Sequence, residues 1–280
     1  MNGLTTYPSD LTDRDWQAVE PLLPKSASTG RPRHVDMRSI INAIFYQTRT
    51  GCQWRYLPKD FPAKSTVFHY YQKWQRDGAW LKLLTNLRQG ARSSLGKEPT
   101  PSVLILDSQS VKAAPGQGAR GYDGGKKIVG RKRHIAVDML GFLLAVVVTA
   151  ASVDDAAAVP TVLAHVPPEQ FPRMTTMYAD GKYHNHALYD TLTEDGPSYE
   201  LKVVSRSAND KGFVVLPKRW VVERTFGWLM NYRRLVKDYE KTKRSSEARI
   251  QIAMIQILLK RCHVLRWPHQ ESPFRYRLAA

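Results

Sequence analysis

The sequence predicts an α/β protein in which a mixed-sheet domain follows a small all-α, helix-turn-helix-like domain. Three observations lead there. Up to about residue 90 the apolar residues recur at helical spacing. The next stretch, GARSSLGKEPTPS, is rich in Gly, Ser and Pro and reads as a linker. Beyond it, short apolar runs suited to strands alternate with helical patterns, which implies a mixed sheet. The expected division is a helical domain at 1–90, a linker at 91–102, a mixed-sheet domain at 103–265 and a tail at 266–280.

In the first domain, Thr12 caps a helix carrying Trp16, Val19, Leu22 and Leu23, with Asp15 completing a capping box and Pro24 stopping it. Asp36 opens a second helix through Ile40, Ile41, Ile44 and Phe45, which ends near Gly51. Ser65 caps a third, with Val67, Phe68, Tyr71 and Trp74 on one face and His69, Gln72, Lys73 and Arg76 on the other. A short fourth helix covers Trp80 to Leu87. The basic face of the third helix suits a recognition element, and Lys64, Lys73 and Arg76 are its candidate DNA contacts.

In the second domain, the apolar run from Val103 to Leu106 is a buried strand ending in Asp107. Residues 108–131 are Gly-rich and basic and read as a loop that orders on binding. His134 to Asp138 and Phe142 to Thr149 form a hairpin about Leu140 and Gly141, which leaves the Asp138 side chain facing solvent. Ser152 with Asp155 starts a helix through Val166, so Asp154 and Asp155 are helix-start residues. Met174 to Ala179 is a strand ending in Asp180, followed by a helix from His184 to Leu192 and a strand from Tyr199 to Val204. Two long helices, Lys218 to Tyr239 and Ser246 to Leu265, close the domain.

Composition narrows the function. Apolar residues make up 42% of the 280, enough for a core, so the chain is not disordered. The longest apolar stretch, Phe142 to Ala151, is about half a membrane span. The opening residues do not read as a secretory leader, and Cys52 and Cys262 lack metal-site spacing, so a reducing cytoplasm is expected and a zinc site is not. Lys plus Arg number 42 against 25 Asp plus Glu, a net charge of +17. Such a field attracts polyanions, nucleic acid before an anionic membrane.

Three acids stand out. Asp107 and Asp180 each end an apolar strand, so adjacent strands would bring both to one sheet edge. Glu223 sits among apolar residues early in a helix. Converging carboxylates repel, and a hard divalent cation removes the repulsion; two such ions suit phosphodiester displacement. Each acid also has a plain reading: an Asp after a strand is often a turn or cap residue, and Glu223 can pair with Arg219 or Arg224. Two motifs are decoys. The GxGxxG of Gly116 to Gly121 is not followed by a helix, and His184-Asn185-His186 lacks the surroundings of a metal finger.

At these acids the sequence resembles a transposase of the IS5-like branch of the wider IS4/IS5 superfamily. Arg219 to Glu240 (RWVVERTFGWLMNYRRLVKDYE) resembles the family's glutamate-helix signature. Leu106 to Val111 is similar to its first-aspartate strand, Gly130 to Asp138 to its basic hairpin entry, and Tyr178 to Tyr183 to its second-aspartate turn. Leu11 to Asp13, together with Trp54, Leu57 and Pro58, matches its N-terminal domain. The resemblance implies an RNase H-like catalytic domain with Asp107, Asp180 and Glu223 as catalytic residues holding two Mg²⁺ (or Mn²⁺) ions. It implies cleavage of insertion-sequence ends by water and strand transfer to target DNA by the freed 3′-hydroxyl. The partners it implies are double-stranded DNA, as terminal inverted repeats and target, and a second copy of the chain, in a nucleoid-associated cytoplasmic setting. A structure-selective nuclease and a non-enzymatic DNA-binding descendant are the alternatives. Lys112, Arg131, Lys132, Arg133, Arg224, Arg233, Arg234 and Lys237 are the expected phosphate contacts of this domain, with Arg233 and Lys237 continuing the Glu223 face of one long helix.

With so one-sided a charge, duplex affinity should fall steeply as salt rises, by orders of magnitude between about 50 and 200 mM. Fluorescence anisotropy across a salt series checks this, and a flat dependence would mean that the charge serves another purpose.

Overall fold

A computed structural model describes residues 7–25, 34–116, 118–183, 189, 199–204 and 218–264, with residues 262–264 described by backbone alone. Its six strands are β1 (Val103–Lys112), β2 (Gly121–Asp123), β3 (Ile128–Val137), β4 (Leu143–Ala150), β5 (Thr176–Asp180) and β6 (Glu200–Val204). They form one mixed sheet in the order β2-β3-β1-β5-β6, with β4 also pairing β3. β3 runs antiparallel to both β1 and β4, whereas β5 runs parallel to both β1 and β6. The helices are α1 (Asp13–Val19), α2 (Met37–Thr50), α3 (Lys64–Arg76), α4 (Ala79–Ser94), α5 (Val159–Leu163), α6 (Arg219–Met230), α7 (Arg233–Val236) and α8 (Lys243–Val264).

Local chemistry sets the first helices as the sequence suggests. Thr12 and Asp15 make a reciprocal capping box at α1. The Asp36 carboxylate accepts from the Arg38 and Ser39 N–H groups at α2, and Gly51 ends that helix at φ 74°. The third cap differs: α3 starts at Lys64 with Ala63 at the cap and no side-chain bond, so Ser65 lies inside the helix. The fourth helix is longer than its leucines indicate and runs to Ser94, into the expected linker, because Ala91 and Arg92 are buried as well. Residues 51–63 separate α2 from α3, while only Asp77 and Gly78 separate α3 from α4. Neither spacing is the three- to four-residue turn of a helix-turn-helix pair.

One hydrophobic cluster joins these helices to the sheet. It includes Ile41, Phe45, Trp74, Trp80 and Leu84 from the helices, Ile105, Ile135 and Val148 from one sheet face, and Leu229, Ile252 and Leu258 from α6 and α8. Between Ala248 and Leu259, helix α8 is buried on nearly every side, with Arg249 and Gln256 enclosed among its apolar residues. The other sheet face, with Leu106, Ala136 and Val147, packs against Val159, Val162 and Leu163.

The largest departure from expectation lies at 108–131. Far from a loop, β1 continues to Lys112 and β3 already begins at Ile128. Four consecutive basic residues, Arg131 to His134, are therefore buried in a strand paired on both edges. Arg131 reaches Asp238 at 3.1 Å and donates to the carbonyls of Gly118 and Glu240. Asp238 also accepts from the Ser246 hydroxyl at 2.5 Å. Next to it, Glu240 accepts from Arg234 at 2.8 Å and from Arg249 at 3.3 Å. Burial pushes the Glu240 carboxyl up, but those two guanidiniums outweigh it and hold it below the usual carboxylate range.

Other expectations change for identifiable reasons. The helix after β4 is a single 3₁₀ turn followed by five residues of α5, with Pro160 at its start. The long C-terminal helix is broken: Tyr232 adopts an extended conformation between α6 and α7, buried with the Arg49 guanidinium over its ring. Asp138 is not solvated; it is fully buried, paired with Arg92, and accepts from the Leu140 and Phe142 N–H groups. The helix expected from His184 to Leu192, the His-Asn-His triplet and the tail from 266 lie outside the described residues.

Because Arg131 and Asp238 are both buried, Asp238→Ala should cost about 3–5 kcal/mol in urea unfolding. Replacing the pair by Arg131→Met with Asp238→Leu should recover most of that loss. A cost below about 1 kcal/mol for the single variant would show that the strand tolerates its guanidinium unpaired.

Candidate active site

Three elements bring the expected acids together. β5 pairs β1 only through Val103–Ile105, so beyond that point the two strands part and leave an opening at the end of β5. Asp107 lies in β1 just past the last paired residue, and Asp180 ends β5. Alternation along β1 puts Asp107 on the face of Ile105 and Ile135, the side covered by α6. Helix α6 carries Glu223. It buries Val221, Val222, Thr225, Phe226 and Leu229 and leaves Glu223 exposed toward the opening.

The β3–β4 turn sets the height of α6. The Thr225 hydroxyl donates to the Gly141 carbonyl at 3.0 Å, and Arg224 donates to that of Leu140 at 3.0 Å. Gly141, at φ 83°, makes this approach possible, since a Cβ there would sit 2.7 Å from the Thr225 Oγ1 and 2.9 Å from the Trp228 ring.

The result is a cavity of about 430 Å³ lined by Asp107, Asp180 and Glu223 together with Asp123, Asp154, Asp155, Lys126, Lys132, Lys182 and Arg219. The Ser108 N–H donates to Asp107 at 2.7 Å, and the Lys182 N–H donates to Asp180 at 2.9 Å. Even so, burial pushes the Asp107 carboxyl up to about 6, with the negative charge of Asp180 adding to the effect. The phenol of Tyr183 is raised well above its ordinary value, first by burial and then by Asp107, Asp155 and Asp180. Arg219 lies 3.6 Å from both the Asp180 Oδ2 and the Glu223 Oε1. Among the described residues, no three Asp, Glu, His or Cys side chains close on one point tightly enough to hold an ion as they stand. The donor set is nevertheless all carboxylate oxygen, the chemistry that Mg²⁺ and Mn²⁺ take, and the raised Asp107 is a charge deficit that a cation would relieve.

Two residues here have roles that the local sequence does not disclose. Asp155 reads as a helix-start residue, yet its carboxylate accepts from the Ser108 hydroxyl at 2.7 Å and from the Lys132 ammonium at 2.9 Å. Lys132 reads as a DNA-backbone contact. Instead it points into the cavity, donates to the Val153 carbonyl at 2.7 Å and lies 4.0 Å from Asp123, which also accepts from the Ser110 hydroxyl. The register offers the available signal: Lys132 pairs with Ser110 and so shares the face of Ser108.

The remaining expected DNA contacts divide by exposure. Lys64, Lys73, Arg76, Lys112 and Arg233 are exposed. Arg131 and Arg133 are buried in the sheet and present nothing to a phosphate; burial pulls the Arg133 guanidinium down to about 10. Arg234 is paired with Glu240, and Arg224 is stacked between the rings of Trp220 and Trp228. The break at Tyr232 ends the continuous face that was to join Arg233 and Lys237 to Glu223; Lys237 is half-buried beside the Tyr239 ring.

Comparison with known proteins bears on both parts of the chain. Residues 98–258 match the family model described as transposase DDE domain, and residues 11–84 match that of a putative transposase of IS4/5 family. Over 122 residues the chain is 32% identical to the putative transposase for insertion sequence element IS402 of Burkholderia cepacia, a match covering 40% of this chain and 54% of that protein. It is also 26% identical over 117 residues to the uncharacterized protein y4sN of Sinorhizobium fredii (strain NBRC 101917 / NGR234), covering 41% of this chain and 87% of that protein. The match thus spans about half the length of the first of these relatives.

A carboxyl that holds its proton more tightly in the folded chain opposes folding once the unfolded chain has ionised. For Asp107 that penalty should grow from about pH 4 to about pH 6 and persist above. In chelator, Asp107→Asn should therefore raise stability at pH 7 by on the order of 1–3 kcal/mol, with the gain vanishing near pH 4. Urea unfolding at several pH values checks this, and an equal effect at all pH values would sink it.

Proposed function

The chain belongs to the transposase DDE domain family, and on that premise we propose that it is a DNA transposase that cleaves the ends of an insertion sequence and joins them to target DNA. The observation that carries the reading is the single cavity shared by Asp107, Asp180 and Glu223. Antiparallel β1, β3 and β4 beside parallel β5 and β6 suit an RNase H-like catalytic domain. The extent of the glutamate-helix stretch favours the IS5-like branch within the IS4/5 grouping.

In this reading Asp107, Asp180 and Glu223 would hold two divalent ions, Mg²⁺ or Mn²⁺. Such ions would activate the attacking oxygen and offset the negative charge that builds on the phosphoryl oxygens. The chain's own residues prepare the site. The Ser108 N–H orients the Asp107 carboxylate, and Lys132 holds Asp155 and, through it, the Ser108 hydroxyl. Gly141 lets α6 approach closely enough for Glu223 to face the two aspartates. Of the expected contacts, Lys64, Lys73, Arg76, Lys112 and Arg233 are exposed and so available to DNA phosphates. Pairing of two element ends makes a homodimer on DNA the expected working form, at the nucleoid.

Glu223→Gln should lower Mg²⁺-dependent nicking at terminal inverted repeats by more than about 10²-fold while duplex binding persists. Undiminished cleavage by that variant would refute the triad. Cleavage in the native chain without joining of the 3′-hydroxyl end would make it a nuclease.

A further inference from the structure

The Arg219 guanidinium has an unusual position. One of its nitrogens stands 3.6 Å from a carboxylate on β5 and 3.6 Å from a carboxylate one turn along its own helix. Of the other cations lining the cavity, Lys132 is engaged with Asp155 and a carbonyl, Lys182 lies 4.0 Å from Asp155, and Lys126 forms no ion pair with Asp180 or Glu223. Among the described residues, Arg219 is thus the cation shared by Asp180 and Glu223. Neither contact is as short as a charge-assisted hydrogen bond, so the guanidinium balances the acids without being locked to them. Its side chain is also about one-fifth exposed at the mouth of the cavity, within reach of a ligand.

We propose that Arg219 is an internal counter-ion that stands between Asp180 and Glu223 until a DNA phosphate draws it away, so that divalent-ion uptake and DNA binding are coupled. The inference rests on the proposed metal-holding role of the three acids. A guanidinium is well matched to phosphate, which it can grip with two parallel bonds, and a long arginine side chain can exchange one anion for another without moving its helix. While Arg219 lies between the carboxylates, an incoming dication meets both its charge and its bulk. Once Arg219 has turned to a phosphate, the same carboxylates are left in excess and attract the ion. Linkage makes the effect reciprocal: DNA raises ion affinity by the factor by which the ion raises DNA affinity. The free protein is then a poor metal binder, and the charge for the reaction assembles only on DNA.

The test uses the full chain and Mn²⁺ itself, with free Mn²⁺ followed by electron paramagnetic resonance, with and without a saturating duplex. Uptake by the duplex alone is subtracted. The native protein should bind Mn²⁺ at least about tenfold tighter with duplex present, which is about 1.4 kcal/mol. Arg219→Gln should bind Mn²⁺ about tenfold tighter than the native chain without duplex, and the duplex should then add little. Arg219→Met, similar in reach and uncharged, guards against a local defect of the first variant. Unchanged or weaker DNA-free Mn²⁺ affinity in both variants would overturn the proposal. Adding Asp107→Asn and Asp180→Asn separates the two ideas. If Mn²⁺ binding survives loss of both aspartates, the metal reading of the site fails with the inference. If it is lost while Arg219→Gln had no effect, the coupling alone fails.

Discussion

Cations on both faces of a strand in the middle of a sheet call for negative partners, and much of the molecule is arranged to supply them to Arg131 and Lys132. Arg131 and Arg133 point to one side of β3 and Lys132 to the other. On the first side, the segment after α7 folds back so that Asp238 meets Arg131, and Glu240 beside it gathers Arg234 and Arg249. Arg249 belongs to α8 and donates to Thr48 of α2, so the same network reaches the N-terminal helices. On the second side, Lys132 fixes Asp155 and so the edge of the candidate active site. Leaving any one of these charges buried and alone costs several kcal/mol, so the strand, the C-terminal segment and the cavity wall depend on one another.

How much of this could be read beforehand depended on the distance over which each cause acts. The caps at Thr12 and Asp36 were legible because a capping bond joins neighbours in sequence. Asp107 and Asp180 were legible because an apolar run followed by an acid marks where a strand leaves the core. The basic run of β3 was misread as DNA-facing because its neutralising partners come from far along the chain: Asp238 for Arg131 and Asp155 for Lys132. Local charge counting sees three cations and no acid. The break at Tyr232 carries no Gly or Pro and follows from tertiary contact with Arg49, which sequence periodicity does not register.

The candidate site divides in the same way. The three acids were found by position and by resemblance, and all of them line one cavity. What sequence reasoning missed was their setting. Asp155 and Lys132 form an ion pair along the wall, and Arg219 changes from a possible partner of Glu223 into a bridge between two acids. The pattern of a motif indicates which residues bear the chemistry. Only the packing reveals how the fold tolerates so much like charge in one place.

The shared hydrophobic cluster has an evolutionary consequence. Trp74 and Trp80 are buried in the same cluster as residues of the sheet and of α8, so the N-terminal helices form part of the cover over one face of the sheet. They cannot be exchanged as a cassette without uncovering that face. Under the proposed function, a lineage built on this plan would change its choice of DNA by altering single surface side chains, one at a time, and the buried half of every helix would hold the rest of the ancestry in place.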